Sequence, residues 1–180
     1  VLNNFINITK GMAKEIGVND KNLREIMPFL RERTELPEEL NRPELKTVWE
    51  KVHSRNGMAE RLTNLADTAS NKFEKFWNEY KAVQASGEYT GEENKIKNYI
   101  NHEWDLGNGK EKSLLTNYFA TTSKHGKQRT IDTYYQGING IQLENGEIRK
   151  LKPKVLDYAA LLKMQSDNLI KATCDKALAD

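Results

Sequence analysis

Apolar side chains recur at steps of three and four along the first half of this chain. Leu2, Phe5, Ile6, Met12, Ala13 and Ile16 fall on one helical face, and Gly17 follows as a C-terminal stop. Asn19 or Asp20 is placed to cap a second helix with Leu23, Ile26, Met27 and Leu30 on one side. Pro28 removes a backbone donor in the middle of that pattern, which predicts a kink or an early end. Thr34 to Arg42 carries Leu36, Pro37 and a run of acids and reads as a connection, after which Pro43 suits the first position of a new helix.

From Leu45 to Val83 helical spacing persists for about forty residues, broken only at Asn56-Gly57. One rod and a helical hairpin are both open, because a glycine within a helix costs only about 1 kcal/mol; the reading favours a break. Ser86 to Asn94, with Gly87 and Gly91, is a predicted loop. It divides a helical arm, residues 1–85, from a smaller part, residues 95–180, although one continuous domain stays open.

Beyond the loop the pattern shortens. Tyr99 to Trp104 is aromatic, and Gly107-Asn108-Gly109 reads as a turn. Ser113 is predicted to cap a short helix through Leu114, Leu115, Tyr118 and Phe119, and Thr130 to Ile138 a second one before Gly140. Ile141 to Leu151, centred on Asn145-Gly146, alternates apolar and polar residues in both halves, as a half-buried β-hairpin does. Pro153 is predicted to open a last helix with Val155, Leu156, Ala159, Leu162 and Leu169 available for packing.

The predicted fold is therefore mainly α: an elongated helical bundle or long helical hairpin with a small irregular C-terminal part that includes one β-hairpin. Composition supports this. Only four prolines and 11 glycines punctuate 180 residues, which disfavours a turn-rich β fold. Charged residues make up 30% of the chain, polar for a compact globule. No run approaches the roughly 18 apolar residues of a membrane span, and no signal peptide is read. The chain starts at Val1 and still reads as helix at Ala177 to Asp180, so a fragment of a larger polypeptide is expected.

Net charge is +2 but uneven. Residues 1–94 hold 14 basic and 16 acidic side chains, whereas residues 95–154 hold 11 and 6. Lys124, Lys127, Arg129, Lys150, Lys152 and Lys154, with Tyr134 and Tyr135 available for stacking, are the candidate nucleic-acid contacts. The bland alternative is a solvated basic surface, or pairing with the acidic first half.

No catalytic constellation is read. His53, His102 and His125 lack the spacing of a zinc site, and no metal is expected. The phosphate-loop, dinucleotide and nucleophile-elbow motifs are missing from the sequence, so no cofactor is expected. Ser123-Lys124-His125 are merely chain neighbours. Glu103 and Asp105, either side of Trp104, are read as turn-capping or surface acids. Cys174 is read as a half-buried thiol, and the Trp49, Phe73, Phe76 and Trp77 stripe as a helix-packing face, open to a second copy of the chain.

Residues 98–179 nevertheless carry an ordered set of features. Tyr99-Ile100-Asn101-His102 is followed by Trp104, then Ser123 to Thr130 with His125, then Tyr134 and Gly137, then Lys152-Pro153-Lys154. The set resembles a module of large polyvalent proteins and internal virion (ejection) proteins of bacteriophages. Asn101 and Gly126 depart from it, standing where the family has Pro and Ala. The resemblance implies a non-enzymatic helical segment of a large parent polypeptide, delivered with DNA and located in the virion interior or the bacterial host cytoplasm. It also implies that His102 and His125 orient the irregular segment, and that the rest of the parent is the partner. DNA or RNA is the partner under the rival reading.

Overall fold

The computed structural model describes residues 2–84, 100, 102–120 and 131–167. It is mainly helical, with short antiparallel strands confined to the C-terminal part. The predicted loop at Ser86 to Asn94, the basic stretch with Lys124 to Arg129, and Cys174 lie outside the described residues.

The N-terminal half is a packed set of helices: α1 (Leu2–Ile16), α2 (Asp20–Arg31), α3 (Pro43–Ser54) and α4 (Met58–Gln84). The Asn19 side chain caps α2 by accepting from the Lys21 and Asn22 N–H groups. Pro28 neither ends nor marks the end of α2. The helix runs three residues further, and the Pro28 carbonyl still accepts from the Glu32 N–H at 3.0 Å. Pro28 is fully buried, so packing on all sides offsets the lost donor.

The forty-residue pattern is broken where a break was favoured. Gly57 has φ +78°, a left-handed conformation that costs glycine little, and α4 begins at the next residue. Pro43 occupies the first turn of α3. Helix α2 packs on α1, α3 and α4, and is the centre of the arm. Leu23, Ile26, Met27 and Phe29 of α2, Leu45 and Val52 of α3, and Met58 and Leu62 of α4 are fully enclosed.

The C-terminal part has β1 (Trp104–Asp105), α5 (Gly109–Ala120), α6 (Tyr134–Asn139), β2 (Ile141–Gln142), β3 (Ile148–Arg149), β4 (Lys152–Pro153) and α7, residues 158–167. The hairpin is present: β2 pairs with β3, Ile141 opposite Arg149. Gly146, at φ +87°, donates to the Leu143 carbonyl at 2.9 Å and closes the turn. Its second arm departs from half-buried alternation, because Ile148 is 60% exposed while Ile141, Leu143 and Leu151 are buried. Those three form a small second core with Leu115 and Ile131.

Three boundaries differ from the sequence reading. Helix α5 starts at Gly109, ahead of Ser113, and α6 starts at Tyr134, after its cap Thr133. Pro153 does not open a helix. It sits in β4 opposite Trp104, and α7 begins five residues later, behind Asp157, whose side chain accepts from the Ala159 N–H at 3.0 Å. A two-residue strand tolerates a proline because few of its N–H groups enter the ladder.

Candidate functional site

The end of α2 and the C-terminal part meet at a sealed polar junction. Helix α2 closes on Arg31-Glu32-Arg33, three charged residues that the apolar stripe cannot place. Leu30 faces the core, so the next positions point between α4 and the segments that follow residue 100. An acid at a helix C-terminus meets the negative end of the helix dipole and requires a donor from elsewhere.

Glu32 finds two. Its Oε2 is 2.9 Å from Nε2 of His102, and its Oε1 accepts from the Tyr134 N–H at 2.9 Å. Its side chain is 0% exposed and that of His102 is 4%. Burial pushes the Glu32 carboxyl above its ordinary range, against the hydrogen bond and charge of His102, the Tyr134 N–H and the charge of Arg31.

Aromatic rings wall the pair. Tyr134 stands edge-on to His102 with centroids 4.6 Å apart, and Trp104 lies 5.0 Å from Tyr134. The Tyr134 hydroxyl donates to the Val155 carbonyl at 3.0 Å and accepts from the Glu103 N–H at 2.9 Å, tying three segments together. Gly137 makes the close approach possible: a Cβ there would come within 2.4 Å of the Trp104 ring. The Lys154 N–H donates to the Glu103 carbonyl at 2.8 Å, and Trp104 pairs with Pro153 in register.

His102, Trp104, Tyr134, Gly137 and Pro153, spread over fifty residues of sequence, are therefore gathered at one place. Tyr99 and His125 lie outside the described residues.

Two further polar ties run beside the junction. Asp67 of α4 accepts from Arg31 at 2.6 Å and from Arg33 at 2.6 and 2.9 Å. Burial raises the Asp67 carboxyl, but hydrogen bonds from Arg33 and Arg31 outweigh it and hold the group below its usual value. Tyr158 of α7 donates to the Ala66 carbonyl at 3.1 Å and is bonded to Ser70; its burial pushes the hydroxyl up to about 12. Arg24 of α2 reaches Asp157 at 3.0 Å and also bonds Asp20.

The candidate nucleic-acid contacts are dispersed differently. Tyr134 is fully enclosed and cannot stack on a base in this fold, which corrects its place among them. Tyr135 is half-buried. Lys150 pairs with Glu39 at 2.9 Å, and Lys152 stands opposite Asp105 in the ladder. Lys154 is exposed, as are Lys150 and Lys152. Lys124, Lys127 and Arg129 lie outside the described residues.

Asp105 caps its own turn by accepting from the Gly107 N–H at 3.0 Å. Trp49 is partly buried against the core, and its ring centre is 4.3 Å from that of His53 on the same helix. The side chains of Phe73, Phe76 and Trp77 lie outside the described residues. Among the described residues no three His, Cys, Asp or Glu side chains are grouped to hold a metal ion, and no helix is long and apolar enough to cross a membrane.

Sequence reasoning singled out His102, Trp104, Tyr134 and Gly137 but missed Glu32, Asp67, Ser70, Tyr158 and the Arg24–Asp157 pair. Glu32 left one signal, an acid at the wrong end of a helix. The others left none, because their partners are 34 to 133 positions away. No family model, no curated protein and no solved structure matches this chain, so the junction's own geometry carries its role.

Proposed function

We propose that this chain is a non-catalytic structural and interaction domain of a large bacteriophage-type polypeptide, in which a helical arm carries a smaller C-terminal part. One observation supports the reading above others. The motif residues close onto Glu32 as a sealed joint, with both carboxylate oxygens taken by internal donors. A catalytic acid needs access to the proton it moves, and the Glu32 side chain is 0% exposed and that of His102 4%. The same groups instead hold one part of the molecule to the other.

The phage-type parent, its delivery with DNA and its place in the virion or the host cytoplasm follow from the resemblance at residues 98–179. The rest of the parent is then the natural partner. The nucleic-acid reading is the rival. It keeps Lys152 and Lys154 as exposed cations, while Lys150 and Arg149 are matched by Glu39, Glu111 and Glu147.

Titration of the 180-residue chain with labelled single-stranded and duplex DNA at low and moderate salt separates the two. The structural reading expects no saturable binding, and expects Lys127→Ala with Arg129→Ala to lower the melting temperature. Binding that collapses with added salt, and is lost in that double variant without a change in melting, would replace it with the rival.

A further inference from the structure

We propose that a proton held between Glu32 and His102 is a pH-sensitive clasp that fastens the C-terminal part to the helical arm. The pair joins the end of α2 to a segment 70 positions away, with the Glu32 side chain 0% exposed and that of His102 4%. Each Glu32 oxygen has one donor, the Tyr134 N–H or His102. When the proton leaves for solvent, a bare carboxylate remains in a low-dielectric space, where an uncompensated charge is costly.

Among the described residues, the surrounding groups are engaged elsewhere. Among the described residues, Arg31 of α2 acts on Glu32 but is hydrogen-bonded to Asp67 of α4. Tyr158 of α7 feels the Glu32 charge and keeps its own proton, with its hydroxyl turned to Ser70 and Ala66. The Tyr134 hydroxyl of α6 is turned to Val155 and Glu103. After His102, Glu103 contributes its backbone N–H to Tyr134, and Asp105 faces its own turn.

The direction of the effect follows. The Glu32 carboxyl titrates higher in the folded chain than in water, so its contribution is complete below the ordinary carboxyl value and fades as pH rises through the folded value. The junction therefore loosens as pH rises above the ordinary carboxyl value, while the apolar contacts of α1 to α4, which bind no proton, hold.

The test is amide exchange at the Tyr134 N–H in the full chain from below the ordinary carboxyl value, near 4, up to about pH 8.5, corrected for the intrinsic pH dependence of exchange. In the native sequence the opening constant is expected to rise through the transition by up to about tenfold per pH unit. Glu32→Gln is expected to remove the rise, since its carbonyl still accepts from Tyr134 and no charge is left. His53→Gln, at an exposed ring bonded to its own helix, is expected to keep the native profile. A flat profile in the native chain, or the same rise in Glu32→Gln, would overturn the clasp. If Glu32→Gln does not fold, the Glu32 side-chain carboxyl is followed by carbon-13 NMR in the native chain over the same pH range; its titration must coincide with the rise, and a carboxyl that does not change state through the rise overturns the proposal.

Discussion

The helical arm and the junction share one apolar core, to which the junction adds paired polar groups. In the arm, Leu23, Ile26, Leu45, Val52, Met58 and Leu62 come together as interchangeable apolar volume, held by area removed from water. At the junction named polar groups meet one another: Glu32 with His102 and Tyr134, the partly buried Asp67 with Arg31 and Arg33, Tyr158 with Ser70 and Ala66, while the buried Arg31 Nε has no hydrogen-bond partner. Apolar packing tolerates a volume-conserving exchange at modest cost, whereas a buried hydrogen-bonded charge cannot lose its counterpart without leaving an unpaired group behind. The arm is therefore robust, and the junction is specific.

The largest expected effect tests that contrast directly. Glu32→Ala removes the acceptor that Glu32 offers to His102 and to the Tyr134 N–H and should cost about 3–5 kcal/mol, by analogy with other broken buried pairs. Leu62→Met, a volume-conserving change in the arm, should cost less than about 1.5 kcal/mol. Guanidinium unfolding of both variants measures the gap. Equal losses would mean that the junction is held by packing and that its hydrogen bonds add little.

Gly137→Ala comes next. The new methyl group would enter the Trp104 ring, and the expected cost is about 1–3 kcal/mol, accompanied by a shift in tryptophan fluorescence. The sharper form of this prediction is its partial rescue by Trp104→Phe, which removes the clashing ring atoms. Failure of rescue would place the constraint in the backbone instead of in the Trp104 ring.

The smallest effect is at Asp67. Its carboxyl is held below the usual range, so its contribution is present above the ordinary Asp value, near 4, and is lost as pH falls through the folded value. Asp67→Asn should cost about 1 kcal/mol at neutral pH and flatten the acid limb of the stability profile. Thermal melts between pH 2.5 and 7 read this. It is opposite in sign to the loosening with rising pH expected of Glu32, so the two limbs of one pH profile report two ties of the same junction.

Much of the fold was legible beforehand. Asn19 capping α2, Pro43 opening α3, Gly57 breaking the long pattern and Asn145-Gly146 turning the hairpin are local events, decided by a side chain and its nearest neighbours in the chain. Pro28, Pro153 and Ile148 misled because their local preferences were overridden. Pro28 is enclosed within a continuing helix, Pro153 is claimed by Trp104, and Ile148 lies across Gly140 on the outer face of the hairpin.

The candidate site was legible only in outline. His102, Trp104, Tyr134 and Gly137 stood out as unusual residues in an irregular stretch, but their common counterpart, Glu32, stands in the other half of the chain.

The order of side chains alone determined that this protein is mainly helical, where its arm begins and breaks, and that its last third is different in kind. Only the tertiary structure decided that Tyr134 is a buried keystone instead of a surface ring, that Lys150 is matched by Glu39, and that an acid at the end of α2 anchors the C-terminal part. The physical reason is range. Helical periodicity and capping act over three or four residues, whereas the pairing of buried charges is set by which distant segments meet once water has been driven out.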